Sequence, residues 1–267
     1  MIDPQLLLLF ALTFVINLVG SLAYSVRIAG LRTLRIAVSL SLFNVLLLIS
    51  RTANSVQGPL LAKRIEAGLA AGAPPQLADF RWLLAAASLG TLVGAILTPT
   101  FQRLFTRAVA RFAIDRSMGR LLFRLFRPGV LAGFRESLAV PAGENLRGLV
   151  AGARLPTRII LLNTLVTAVW TVGVLASLYA GTLHPALRVT SNSLSALVNG
   201  GATILLAIVV DPYLSLLTDD VQQGKVGEPF FRRCVVWMLA SRFAGTVVAQ
   251  LLLLPAASLI AAAAQGL

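Results

Sequence analysis

The chain has 267 residues, of which 57% are hydrophobic and only 12% are charged. A soluble domain has about 25% charged residues, so part of this chain is expected to be solvated by lipid rather than by water. The formal net charge of +13 favours anionic partners, such as phospholipid head groups or an anionic substrate. Because the basic residues lie between apolar stretches, we do not expect nucleic acid as a partner.

Six stretches contain the roughly 20 mostly apolar residues that a membrane-spanning helix needs. In chain order they are residues 6–25, 36–59, 82–101, 159–180, 194–211 and 234–254. The sequence therefore predicts an all-α polytopic membrane protein, with a single membrane domain over residues 1–267 and six transmembrane helices.

Basic residues are distributed unequally among the connections between these stretches. The connections after spans one, three and five carry three, eleven and three Lys or Arg residues, whereas five lie towards the other side. Cytoplasmic loops concentrate Lys and Arg, so we expect both termini to lie outside. The two halves then have three spans each in opposite orientation, an arrangement that permits an inverted repeat.

The connection after span three, residues 101–158, begins with an amphipathic pattern. Arg103, Arg107 and Arg111 recur at helical spacing on one face, with Phe105 and Val109 on the opposite face. This pattern predicts a basic amphipathic cytoplasmic helix that lies on anionic phospholipid. An extension of span three with a solvated face is the alternative interpretation.

The sequence contains no motif of a catalytic or nucleotide-binding site. It has neither a G-x-S-x-G nor a Walker A motif, and no pair of carboxylates lies within a predicted span. Cys234 and His184 are single residues of their types, which excludes a disulfide within the chain and a multi-cysteine metal site. We therefore expect neither an enzyme nor a bound metal or cofactor.

Polar residues interrupt the apolar sequence of span two. Arg51 follows an unbroken apolar run, where a charge costs about 2.5–3.5 kcal/mol on insertion scales. Asn44 lies two turns before Arg51 and Asn54 one turn after it, so the three are expected on one helical face. This face predicts the wall of a hydrophilic cavity. In the alternative interpretation Arg51 extends out of the apolar layer and Asn44 bonds a neighbouring helix.

Arg242 is a second arginine inside a predicted span, about 12 Å from the cytoplasmic start of span six. Asp211 is the nearest acidic residue in the predicted layout. One interpretation is a structural Arg242–Asp211 ion pair, and the other is contact between Arg242 and a substrate phosphate. Arg27 and Arg32 are expected at the cytoplasmic mouth of spans one and two, where topology alone also favours arginine.

Several segments of the first hundred residues resemble the Amj family of bacterial membrane proteins. They are residues 21–30 (SLAYSVRIAG), 39–44 (SLSLFN) and 50–54 (SRTAN), together with Arg32, Gln57 and Pro59. The resemblance implies a lipid II flippase of the bacterial inner membrane that acts in parallel with the unrelated MurJ in peptidoglycan synthesis. The implied substrate is undecaprenyl-pyrophosphoryl disaccharide-pentapeptide, moved from the inner to the outer leaflet.

The polar residues in the spans are compatible with this role, because a lipid flippase needs a hydrophilic groove that opens sideways to the bilayer. Arginine suits a pyrophosphate, since its planar fork donates two hydrogen bonds and stays charged. The candidate substrate-binding residues are Arg27, Arg32, Asn44, Arg51, Asn54 and Arg242. A secondary transporter of another anionic or lipid-linked substrate and a non-transporting membrane scaffold are the alternatives, and a homodimer is left open.

Overall fold

The computed structural model describes residues 4–72, 76–115, 134–139, 143 and 156–267. The regular structure of these residues is helical throughout. The main α-helices are α1 (Pro4–Thr33), α2 (Ile36–Ala70), α3 (Leu77–Asp115), α4 (Thr157–Leu183), α5 (Arg188–Leu205), α6 (Asp211–Gln222) and α7 (Glu228–Gly266).

Six helical segments are long and apolar enough to cross a membrane, which confirms the predicted number of spans. They are α1, α2, α3, α4, α7 and the continuous segment Pro185–Gln222, which includes α5 and α6. The helices are longer than the predicted spans, because polar and charged residues at their ends continue the helices beyond the apolar stretches. The predicted basic helix begins in this way, since Arg103, Arg107 and Arg111 lie on α3 itself; most of residues 116–155 lies outside the described part of the chain.

The fifth span is irregular in its middle. A π-helical turn, Leu206–Val210, separates α5 from α6, and α6 begins with Asp211 followed by Pro212. Proline has no N–H to donate, and a π-helical turn inserts an extra residue, so backbone hydrogen bonding is weakened here. Such turns are common at functional sites. Asp211 was expected to end this span, but the helix continues for eleven further residues to Gln222.

The two halves of the chain have the same packing order. In the first half, α1 packs most extensively against α3 and less extensively against α2. In the second half, α4 packs most extensively against α7 and less extensively against α5. Helices α3 and α7 join the two halves. We call the end of the bundle that holds both chain termini the terminal end, and the opposite end, where α1 ends and α2 begins, the arginine end.

Glycines allow the closest helix contacts in both halves. A Cβ atom added at Gly90 of α3 would overlap the carbonyl oxygen of Phe14 in α1. In the second half, a Cβ added at Gly245 of α7 would lie 2.5 Å from the carbonyl oxygen of Thr164 in α4. Small residues at such positions let helix backbones approach closely within a membrane. The close packing of α1 on α3 and of α4 on α7 therefore requires glycine at these two positions.

We predict that Gly90→Ala lowers the thermal stability of the purified protein, because the added methyl group must displace a backbone carbonyl. The expected cost is about 1–3 kcal/mol, as for other overpacked cores. Gly201→Ala is the matched control, since no atom lies within 4 Å of the added Cβ and alanine favours a helix. Thermal unfolding in detergent measures both variants. Equal midpoints for the two would contradict this account of the α1–α3 contact.

Candidate functional site

A groove of about 380 Å³ lies between α2 and α5, and α4 forms its floor. Helices α2 and α5 make little direct contact with each other, and both pack against α4. The residues that line the groove are Arg51, Asn54, Ser55, Gly58, Pro59, Trp170, Val174, Asn192, Ser195, Ala196, Asn199, Gly200 and Thr203. The groove therefore combines one cation with several neutral polar groups and an indole ring.

The α2 wall of the groove is held in place by hydrogen bonds on the opposite face of this helix. The Ser50 hydroxyl donates to the carbonyl oxygen of Ile16 at 2.9 Å, and the Gln57 amide donates to the Thr13 hydroxyl at 2.6 Å. Because these side chains face α1, residues one position along the helix turn towards the groove. The two bonds thereby fix the orientation of Arg51.

Arg51 is the charged residue of the groove and is partly buried. Within the described residues, its guanidinium group makes no hydrogen bond and no ion pair, although it acts electrostatically on Asp211. A charged group inside a span is costly unless a partner or water solvates it. Arg51 therefore retains its full hydrogen-bonding capacity for an anion in the groove.

The α5 wall carries a row of polar residues that the sequence analysis did not assign to a site. Asn192, Ser195, Asn199 and Thr203 recur at spacings of three or four residues, and all four line the groove. This spacing places them on one helical face. The same spacing is visible in the sequence, and it would have identified a polar face in the fifth span.

Trp170 on the groove floor separates the groove from Arg242. The guanidinium carbon of Arg242 lies 6.0 Å from the Trp170 ring centroid, and the Tyr24 hydroxyl is close enough to interact electrostatically with Arg242. The guanidinium fits into a notch at Gly20 on α1, where a Cβ atom would overlap it. Arg242 is 8% exposed, and its Nε has no hydrogen-bond partner among the described residues. Arg242 is thus buried beside a ring and a hydroxyl.

Asp211 forms its ion pair with Arg27 and not with Arg242. The Arg27 Nη2 atom lies 2.7 Å from Asp211 Oδ1. The guanidinium carbon of Arg27 lies 4.3 Å from the Phe43 ring centroid. The Arg242–Asp211 pair considered from the sequence is therefore wrong. Asp211 lies beside Arg27 of α1, whereas the Arg242 guanidinium lies against Gly20, two turns earlier on the same helix.

Besides Arg27 and Arg242, two further predicted site residues lie away from the groove. Asn44 is exposed and does not line the groove, because it lies seven residues, or about 10 Å, along α2 from Arg51. Arg32 lies at the arginine end and contacts Glu228 at 3.2 Å. When the Gln102 amide is oriented with its oxygen towards Arg32, that oxygen accepts hydrogen bonds from the guanidinium at 2.9 Å. The structure thus brings together Arg51 and Asn54 in the groove.

The terminal end of the groove is bridged by a single ion pair. Glu66 of α2 and Arg188 of α5 are 3.4 Å apart, and both side chains are partly exposed. Because α2 and α5 otherwise make little direct contact, this pair is the main link between the two groove walls in the described part of the chain.

The fold and the groove define a multi-pass membrane protein with a cationic, polar site between its second and fifth spans. Residues 12–264 match the model of the Amj family, described as "Alternate to MurJ", and the chain belongs to this family. It is 38% identical over 264 residues to the "Lipid II flippase Amj" of Bacillus subtilis (strain 168), an alignment that covers 97% of each chain. No solved structure matches the chain.

We predict that Asp211→Asn destabilises the protein by about 2–3 kcal/mol, because Arg27 is 3% exposed and would lose its anion. The double variant Arg27→Met with Asp211→Asn is expected to recover most of this loss, since it removes the unpaired buried charge. Thermal unfolding in detergent measures both. Glu228→Gln is the control, because its ion pairs with Arg32 and Arg232 are partly exposed and each contributes about 1 kcal/mol or less. An Asp211→Asn midpoint equal to that of the wild type would contradict the pairing.

Proposed function

We propose that this protein is a lipid II flippase, which moves the lipid-linked disaccharide-pentapeptide of peptidoglycan synthesis from the inner to the outer leaflet. The name of the relative from Bacillus subtilis and the cationic groove both support this function. In this proposal the prenyl chain stays in the lipid while the polar head group moves along the groove between α2 and α5. In this proposal the groove is open sideways to the bilayer between these helices.

Arg51 is the observation that carries the proposal. A guanidinium that forms no ion pair with the described residues, inside a span and within a groove, is suited to a diphosphate, which accepts two parallel hydrogen bonds from the planar fork. Asn54 lines the same groove and is proposed to bond the sugar or the peptide. Arg242 is proposed to stabilise the head-group charge from behind Trp170.

The proposed orientation places the arginine end in the cytoplasm and both termini outside, in the bacterial inner membrane. Lys and Arg concentrate at the arginine end, as cytoplasmic connections do. Arg103, Arg107 and Arg111 form an exposed face of α3 opposite buried Phe105 and Val109, which suits contact with anionic phospholipid. Arg32 at this end is proposed to attract the head group. Arg27 is proposed to hold Asp211 rather than to contact the substrate.

The electrical gradient supports movement in this direction. A negative head group that leaves a negative cytoplasm gains about 2.3 kcal/mol per charge for each 100 mV of membrane potential. Consumption of the lipid outside removes the product and also drives the cycle forward.

Transport of another anionic or lipid-linked substrate is the second candidate function. The π-helical turn with Asp211 and Pro212 interrupts the fifth span, and secondary transporters commonly bind their substrates beside interrupted helices. A non-transporting scaffold has no need of an unpaired Arg51. Flipping and binding measurements with lipid II and related lipids separate these alternatives.

We predict that Arg51→Ala reduces lipid II flipping by about tenfold or more, because it removes charge-assisted hydrogen bonds to the diphosphate. Arg51→Lys is expected to retain part of the activity, since it keeps the charge but loses the fork. The measurements are growth of MurJ-depleted cells at matched expression and flipping in reconstituted vesicles. Lys63→Ala, an exposed position on α2, is the control.

No rescue by the correctly inserted wild type would contradict the flippase function. Full rescue by Arg51→Ala would leave the function in place and remove Arg51 from the site.

The Glu66–Arg188 pair gives a separate test of the pathway. We predict that a variant with Glu66→Cys and Arg188→Cys, joined by a bifunctional maleimide, loses flipping, because α2 and α5 can no longer separate at the terminal end. The native Cys234 is buried and does not need replacement. Each single-cysteine variant treated with the reagent is the control. Undiminished flipping by the cross-linked protein would show that the head group does not leave between these residues.

A further inference from the structure

We propose that the polar row of α5, together with Trp170, forms a saccharide subsite that is distinct from the phosphate site at Arg51. The inference rests on the proposed flippase function, and it assigns the sugar part of the head group to particular residues. The subsite comprises Asn192, Ser195 and Asn199 on α5, with Trp170 as its floor.

The hydrogen-bonding state of these side chains is the first argument. Several buried polar side chains elsewhere in the spans donate hydrogen bonds to protein: the Thr91 hydroxyl bonds the carbonyl oxygen of Ala87, and the Asn163 amide nitrogen bonds both Met238 and Ser241. Asn192, Ser195 and Asn199 have no side-chain hydrogen bond to any described residue. Polar groups at membrane depth are costly without partners, so this row is built to be satisfied by something in the groove.

Asn199 shows that the row is positioned by packing and not merely exposed. Its Oδ1 atom is buried without a hydrogen-bond partner, and it packs over Gly173 of α4, where a Cβ atom would overlap it. Glycine at position 173 therefore allows the amide to lie close against the groove floor. The contact fixes the amide beside Trp170, which lies three residues earlier on the same helix.

The chemistry of the row indicates its ligand. The Asn192 amide offers donors and an acceptor, and the Ser195 hydroxyl both donates and accepts. The Asn199 amide offers its N–H donors, because its Oδ1 atom is buried against Gly173. Sugar hydroxyl groups require this combination, and the apolar face of a sugar ring packs on an aromatic ring such as Trp170. The row from Asn192 to Thr203 rises about 16 Å along α5, which exceeds the length of one sugar ring.

The charge of the wall distinguishes the sugar from the peptide of the head group. A peptide with free carboxylates needs cations, but Arg51 is the cation among the groove-lining residues, and we assign it to the diphosphate. The α5 wall that faces it is neutral. A neutral hydrogen-bonding wall opposite a cation matches a head group in which sugars follow a diphosphate.

Binding to the purified full chain in nanodiscs tests the subsite. The ligands are undecaprenyl diphosphate, the same lipid with its disaccharide but no peptide, and lipid II. The wild type is expected to bind both sugar-bearing lipids about tenfold more tightly than undecaprenyl diphosphate, which equals one or two net hydrogen bonds. The double variant Asn192→Ala with Asn199→Ala is expected to lose most of this preference. Arg51→Ala is expected to weaken binding of all three lipids by similar factors.

The control for the α5 variants is Ser193→Ala, an exposed position on the same helix whose hydroxyl bonds its own backbone at Val189. Should the double variant be unstable, Asn192→Ala alone gives the same comparison, since Asn192 is only partly buried. Three results would overturn the subsite: equal weakening of all three lipids by the α5 variants, an unchanged sugar preference in them, or a wild-type preference that requires the peptide. A wild type that binds none of the lipids would instead overturn the proposed function itself.

Discussion

A guanidinium group at membrane depth must be solvated by an anion, a polar group or water, and this chain places three such groups between its two halves. Arg27 has a carboxylate partner in Asp211. Arg242 has the Tyr24 hydroxyl and the Trp170 ring. In the described part of the chain, the Arg51 guanidinium has no carboxylate partner, no hydroxyl partner and no ring contact. Arg51, which is partly exposed in the groove, therefore keeps its hydrogen-bonding groups free, and this gives the groove its capacity for an anion.

The other two arginines connect the halves mechanically. Arg27 of α1 holds α6 through Asp211, and Tyr24, one turn earlier on α1, interacts electrostatically with Arg242 of α7. Tyr24 also packs edge-on against Phe43 of α2, with 6.2 Å between the ring centroids. These contacts join elements of both halves next to the groove floor. A movement of one half against the other therefore changes the surroundings of the groove directly.

Local sequence patterns predicted the parts of the structure that depend on single helices. The six spans follow from apolar length, and the common face of Arg51 and Asn54 follows from helical periodicity. Asn44 shares that periodicity but lies outside the groove, because the groove has a limited length along α2. The Arg27–Asp211 pair could not be derived, since it depends on how α6 packs near α1. The α5 row was detectable from its spacing, but its unsatisfied state required the tertiary structure.

Because the two halves have the same packing order, the groove lies between two helices that occupy equivalent positions, α2 and α5. These helices carry different side chains towards the groove. Helices α2 and α5 are the second spans of their halves, and each lies on the flank of a tightly packed helix pair. The tight pairs depend on close approach at Gly90 and Gly245, so they resist separation. The flanking helices make fewer contacts and are free to carry polar residues. Arg51 on α2 and the neutral polar row on α5 allow a single groove to discriminate by charge and by hydrogen bonding.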